Sequence, residues 1–335
     1  MLPPMLPLTR ASSLALRQMA IEQLHDTFLG LPPDECTYDE SRVVLLRAPY
    51  DGTTSYMAGA RDGPAAILAA SAQVEPYDRE LGCEPCEVGI HALPALVPPA
   101  AAGPKAVIDQ IEALSLPVVA DGKLPFVLGG EHSVTLGAAR AVAEVHPRLS
   151  FLQIDAHLDL RPSYEGSPYS HACVAYHLLG LRGDGGQVVQ VGVRTACPEE
   201  LAVIEEHGLA PIWGEDVWRE EDDAWIARAV EGLADHPVYV TVDVDGLDPS
   251  VIPGTGTPVP GGLGWYQTLR LLRAVGQACR VVGCDVVELA PGPGDHRSAY
   301  AAAQLVYKMI GYFEAARPGR EARCRAPKPL KAAAS

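Results

Sequence analysis

The chain has 335 residues, 48% of them hydrophobic and 20% charged, with a formal net charge of −16 at pH 7. That length and balance suit one large α/β domain with a sizeable core and exclude a disordered or fibrous chain. The negative field speaks against a nucleic-acid or anionic-membrane surface and would draw a cationic ligand.

The opening residues, MLPPMLPLTR, break their apolar part with prolines and lack a small-residue cleavage signal, so no signal peptide is expected. No stretch reaches the roughly 20 apolar residues of a membrane span, and the expected location is cytoplasmic. Leu14, Ile21, Leu24 and Phe28 share a face at helical spacing, which predicts a leading amphipathic helix ended by Leu31, Pro32 and Pro33. Such a helix would serve as an oligomer arm or pack on its own domain.

Short apolar runs then alternate with helical patterns: VVLL at 43–46, PFVL at 125–128, LSFLQI at 149–154, QVVQVGV at 187–193, PVYVTVDV at 237–244 and RVVGCDVV at 280–287. Continuous runs suit strands buried on both faces, with the helical stretches as crossovers, so a mostly parallel sheet between helices is predicted. Trp265, Leu269, Leu272, Val275 and Cys279 make one late helical stripe, and Leu305, Met309 and Phe313 another; both read as core packing. With no internal repeat or low-complexity linker, residues 34–317 form one expected domain. It is preceded by a helical extension at 1–33 and followed by a loose tail at 318–335.

Eight cysteines are too few for a disulfide scaffold and read as reduced thiols. Cys83 and Cys86 form a CxxC, but no second pair completes a zinc ribbon. Pro85, Gly82 and Gly89 suggest a loop, not the helix start of a redox motif, so the pair reads as incidental.

Three loops after predicted strands concentrate metal-ligand types, and in open parallel sheets ligands bind beyond the strands' carboxyl ends. In LQIDAHLDLR, Asp155, His157 and Asp159 alternate with apolar or small residues, and an extended backbone would point all three to one face. Asp243 and Asp245 in YVTVDVDGLDPS share a face by the same rule. In FVLGGEHSVT, His132 follows a strand and a Gly-Gly turn, with Ser133 or Thr135 near a helix start. Buried like charges are costly unless a cation compensates them. Four carboxylates match two divalent ions, and the mixed oxygen and nitrogen donors favour manganese (Mn2+) over calcium or thiolate-bound zinc.

GGEHS, DAHLD and VDVDGLDPSVIPGTGTPVPGGL, in this order, resemble the three signature regions of the arginase and agmatinase ureohydrolases. PYDGTTSYMAGARDGPAAIL at 49–68 and DVVELAP at 285–291 extend the similarity from about Arg42 to Tyr312. The resemblance implies a three-layer α/β/α sandwich with about eight mostly parallel strands, the arginase fold. It also implies a binuclear metal site of His132, Asp155, His157, Asp159, Asp243 and Asp245, all six present without substitution. Such a site generates a hydroxide between the ions that attacks a guanidinium carbon and releases urea.

The same resemblance assigns proton shuttling to His171, in EGSPYSHACV, and guanidinium binding to Glu288, in DVVELAP, where a carboxylate suits a planar guanidinium. Thr257, in PGTGTP, resembles a threonine that supports this Glu, although a turn role explains it equally. The interval LRPSYEGSPYS lacks the Asn-bearing arginase pattern and looks like that of agmatinases. It offers Glu165 for the distal amine of agmatine and Tyr164 for a pocket wall.

Agmatine hydrolysis to putrescine, in polyamine biosynthesis, is therefore the expected activity. The alternatives are N1-aminopropylagmatine, guanidinobutyrate or guanidine as substrate. A deacetylase of the same architecture would follow a single-zinc pattern, and a non-catalytic regulator of polyamine enzymes would have lost ligands. A homo-oligomer, trimer or hexamer, is expected from the resemblance, with no nucleic-acid or membrane partner.

Overall fold

The structure, a computed structural model, describes residues 27–98, 103–220, 222–233 and 236–315. Its centre is one eight-stranded sheet: β1 Val43–Ala48, β2 Ile90–Ala92, β3 Leu124–Gly129, β4 Ser150–Ile154, β5 Val188–Val193, β6 Ile212–Trp213, β7 Pro237–Asp243 and β8 Arg280–Val287. The order is β2-β1-β3-β8-β7-β4-β5-β6, and every pairing is parallel.

The strands are continuous apolar runs because both faces are covered. Alternate residues of β1 show this: Val43 and Leu45 enter one apolar layer, with the helices Gly63–Ser71, Trp265–Ala278 and His296–Ile310. Val44 and Leu46 enter the other, with the helices Pro104–Ala120, Thr135–Val145 and Val174–Leu181. The result is the expected three-layer α/β/α sandwich.

All six predicted runs are strands, to within two residues at every end. The two that the pattern did not predict, β2 and β6, are edge strands of three and two residues, too short to make a run. The two late stripes are buried helix faces; the second passes at Gly311 into a π turn, Gly311–Ala315, that buries Phe313.

Of the proposed leading helix, Leu14, Ile21 and Leu24 lie outside the described residues, while Phe28 is buried in a 3-10 turn, Phe28–Gly30. The tail at 318–335 also lies outside them. Cys86 is a free thiol, as expected; Cys83 departs from that expectation in being disulfide-bonded. No helix among the described residues is long and apolar enough to cross a membrane.

The topology gathers chemistry in one place. β3, β8, β7 and β4 are consecutive in the sheet, so four loops far apart in sequence leave a strip of roughly 15 Å at the spacing of neighbouring strands.

Candidate active site and metal centre

Each loop turns its side chains inward by a local device. After β3, Gly130 lies so close to the 50-loop that a Cβ would stand 2.0 Å from the Tyr50 carbonyl oxygen. Only glycine fits. Gly130 and Glu131 donate to the Ala48 and Tyr50 carbonyls at 2.8 and 2.7 Å, which sets His132 ahead of the helix Thr135–Val145.

After β4 the backbone leaves the extended form at once. Asp155 Oδ1 accepts the His157 N–H at 2.6 Å, and Asp159 takes the left-handed conformation, φ 51°. The predicted convergence of Asp155, His157 and Asp159 is therefore achieved by a bend and not by strand alternation. After β7 a single 3-10 turn, Val244–Gly246, carries Asp245 round until its N–H donates to Asp243 Oδ1 at 2.9 Å.

The six residues meet. His132 Nδ1 lies 3.1 Å from Asp155 Oδ2, 3.0 Å from Asp159 Oδ2 and 3.5 Å from Asp243 Oδ2. His157 Nδ1 lies 3.4 Å from Asp155 Oδ1 and 3.1 Å from Asp245 Oδ2. Among the described residues, His132, Asp155 and Asp159 form one group with ligand atoms within 4.8 Å of one another, and Asp155, His157 and Asp245 a second, so Asp155 belongs to both and Asp243 stands beside the first.

The chemistry of these donors fits divalent ions. His132 Nε2 faces the Thr241 hydroxyl at 2.9 Å, and that hydroxyl gives its proton to Asp285 Oδ1 at 2.6 Å. Nε2 must then carry the hydrogen, which leaves a lone pair on Nδ1, a buried atom without a hydrogen-bond partner.

Electrostatics agree. Burial, then Asp155, pushes the Asp159 carboxyl up to about 6, and burial with Asp245 raises that of Asp243. Burial opposes charge on both histidines, yet the adjoining carboxylates, Asp155 first, raise them, His157 to about 12. Without ions the site holds protons where cations belong.

Supporting residues had not been singled out in the sequence. Asp285 also accepts from Tyr239 at 2.8 Å, and the Gln153 amide donates to Asp155 Oδ2 at 2.7 Å while accepting from Gln190 at 2.9 Å. Arg194 donates to the carbonyls of Gly192, Asp245, Val259 and Pro260. The available signal was polar residues interrupting apolar strand runs: Gln153, Gln190, Thr241 and Asp285.

Beside the donors is a cavity of about 280 Å³ whose walls include His132, His157, His171, Glu288, Thr257 and Tyr164. Glu288 is half-buried at φ 63°. Its N–H donates to the Gly130 carbonyl, and its carboxylate accepts the His132 N–H, both at 2.7 Å. Burial, then Glu131, pushes its carboxyl up to about 8. Burial, then His132, pushes the His171 imidazole down to about 4.

Two expectations about this wall change. The Thr257 hydroxyl donates to Asp245 at 3.0 Å, so it supports a member of the donor cluster and not Glu288. Glu165 is exposed and absent from the cavity wall, because Tyr164 and Ser167 exchange backbone hydrogen bonds at 3.0 Å. Glu165 and Gly166, both exposed, fill the two-residue turn between them with positive φ. Tyr164 lines the cavity, edge-on to His171 at 5.8 Å.

The chain resembles known proteins in sequence and in fold. The sequence profile of the arginase family matches residues 41–311. The N(1)-aminopropylagmatine ureohydrolases of Thermus thermophilus and Synechocystis are 43% and 39% identical to the chain. The alignments cover 82% and 83% of this chain and 91% and 90% of those relatives. The crystal structure of agmatine ureohydrolase of Thermoplasma volcanium superposes with a TM-score of 0.75 at 33% identity, covering 83% of this chain and 91% of that one.

Proposed function

We infer that this chain, which belongs to the arginase family, uses the site described above to release urea from a guanidino compound, agmatine giving putrescine as the principal reading. The observation that carries it is the juxtaposition of two histidine-carboxylate groups sharing Asp155 with Glu288, an acid that faces the cavity without a basic partner among its hydrogen bonds.

His132, Asp155, Asp159 and Asp243 would hold one divalent ion, and Asp155, His157 and Asp245 the other. Manganese is the proposed metal, on the mixed nitrogen and oxygen donors. The ions supply activation of a water near neutral pH. Glu288 binds the planar guanidinium through paired hydrogen bonds and sets its carbon beside the donor cluster. His171, across the same cavity, delivers a proton to the departing nitrogen so that it leaves as an amine. All six donors are retained, which argues against a non-catalytic regulator, and their number argues against a single-zinc deacetylase.

A second substrate is supported by a specific observation: relatives named N(1)-aminopropylagmatine ureohydrolase span 35% to 43% identity, against 34% and 35% for the agmatinases of Pyrococcus horikoshii and Bacillus cereus. Guanidinobutyrate and guanidine are further alternatives. A trimeric or hexameric cytoplasmic assembly belongs to the same proposal through family resemblance.

The test is urea release by manganese-loaded protein over agmatine, N1-aminopropylagmatine, arginine, guanidinobutyrate and guanidine. Turnover of the first two is expected. No urea from any of the five would overturn the reading.

A further inference from the structure

Glu131 is wholly buried and plays no part in the chemistry described so far, although it stands next to His132. Its carboxylate accepts the Thr53 N–H at 2.6 Å on Oε2, the Thr53 hydroxyl at 2.7 Å on Oε1, and the Ser133 hydroxyl. Thr53 in turn faces His171 twice: its Oγ1 accepts the His171 backbone N–H at 3.0 Å and lies 3.1 Å from the His171 Nδ1.

A hydroxyl has one proton to give. That of Thr53 goes to Glu131, so its oxygen can only accept from the imidazole. Nδ1 must then carry hydrogen, for otherwise two lone pairs would face each other at 3.1 Å. Ser170 Oγ, at 3.3 Å from the same nitrogen, can share that hydrogen as a second acceptor. The remaining ring nitrogen, Nε2, is left with its lone pair on a residue that lines the cavity.

We propose that Thr53, anchored by the buried Glu131 carboxylate, is a positioning residue that holds His171 as the Nδ1–H tautomer with Nε2 as the nitrogen that carries the transferred proton. The proposal rests on the reading of His171 as proton donor. Nε2 takes up the proton given up by the attacking water and passes it to the departing nitrogen, while the Nδ1–H bond stays intact throughout. Each turnover returns the imidazole to the same state with no net gain of charge. The chain brings this about across 78 and 118 residues of sequence, between the 50-loop, the Gly-Gly turn and the start of the helical segment at His171.

The test compares Thr53→Val, which keeps the shape and the backbone N–H but removes the hydroxyl, with Thr53→Ser, which keeps the hydroxyl. In the manganese-loaded enzyme, Thr53→Val is expected to lose about ten- to a hundred-fold in kcat, with KM within about twofold and two ions per chain retained. Thr53→Ser should restore kcat to within about threefold. His171→Ala separates the two layers of inference. If it keeps wild-type kcat, the reading of His171 fails. If it is crippled while Thr53→Val turns over like wild type, the positioning role fails. Should Thr53→Val not fold, Glu131→Gln replaces it: the amide can donate to the Thr53 oxygen, freeing the hydroxyl to donate to Nδ1 and favouring the wrong tautomer. A kcat loss at unchanged ion content then supports the proposal, and unchanged kcat overturns it.

Discussion

Replacing Glu288 by glutamine should make the ion-free protein more stable and the loaded enzyme nearly inactive. In the fold the Glu288 carboxyl is lifted from 4.5 to about 8, because burial and then Glu131 outweigh the His132 N–H and the His132 charge that act the other way. A carboxyl raised on folding is an ionisation penalty. It is absent below about pH 4.5, grows as pH rises towards 8 and is complete above that value. At about 1.4 kcal/mol per unit the full lift is worth about 5 kcal/mol, and partial solvent contact at the half-buried side chain reduces it to about 2–3 kcal/mol. Glutamine keeps an oxygen for the His132 N–H but carries no charge. Denaturant unfolding of chelator-treated protein should therefore show Glu288→Gln more stable than wild type at pH 9, with the difference closing towards pH 4.5. In the same variant the guanidinium loses a desolvated ionic partner, so kcat/KM should fall by about 10²- to 10³-fold. A variant less stable than wild type at pH 9, or one with unchanged kcat/KM, would refute the placement of an unpartnered charge at this position.

Asp155 touches both histidines, so Asp155→Ala should abolish binding of both ions, whereas His157→Ala should leave about one per chain; elemental analysis after gel filtration reads this directly. Because His132 and His157 are raised in the ion-free protein, ion binding must displace protons: affinity should weaken as pH falls, and titration in weak buffer should release acid. Binding with no proton release would contradict it. Arg194→Met leaves the Gly192, Asp245, Val259 and Pro260 carbonyls without their guanidinium donor. About 2–4 kcal/mol of stability should go, read from the denaturant midpoint, together with kcat through a displaced Asp245. A midpoint unchanged from wild type would show that the clamp is idle.

Strand position was legible because both faces of the sheet are covered, so each long strand is an unbroken apolar run; edge strands β2 and β6 offer too few residues to show it. The donors were legible because Asp and His at the ends of such runs have no apolar explanation. Their route inward was not, since alternation along a strand and a bend with Asp159 at φ 51° give the same spacing in sequence. Glu165 misled for a related reason. A charge between Tyr164 and His171 is near the cavity along the chain, but the two-residue turn sends it to solvent. Thr53 and Glu131 could not be paired in advance, because their contact depends on how closely Gly130 lets two loops approach.

Destabilising features are concentrated at the mouth of β3, β8, β7 and β4, and this concentration bears on function. Two of the four non-glycine residues with positive φ among the described residues, Asp159 and Glu288, are here. Each carries a strain of about 1–2 kcal/mol. The same few residues include four mutually repelling aspartates and a buried nitrogen with no hydrogen-bond partner. None of these costs is relieved by the two apolar layers that hold the sheet. The electrostatic costs are relieved by cations: the aspartates and the His132 nitrogen by divalent ions, and the Glu288 charge by a guanidinium. The apolar layers keep the loops in place without ligand, so the site meets its ligands in the geometry it needs and little binding energy is lost to ordering it. It follows that ions and substrate should stabilise the fold by separate increments, the first set by the Asp155-centred cluster and the second by Glu288. The second increment should disappear in Glu288→Gln while the first remains.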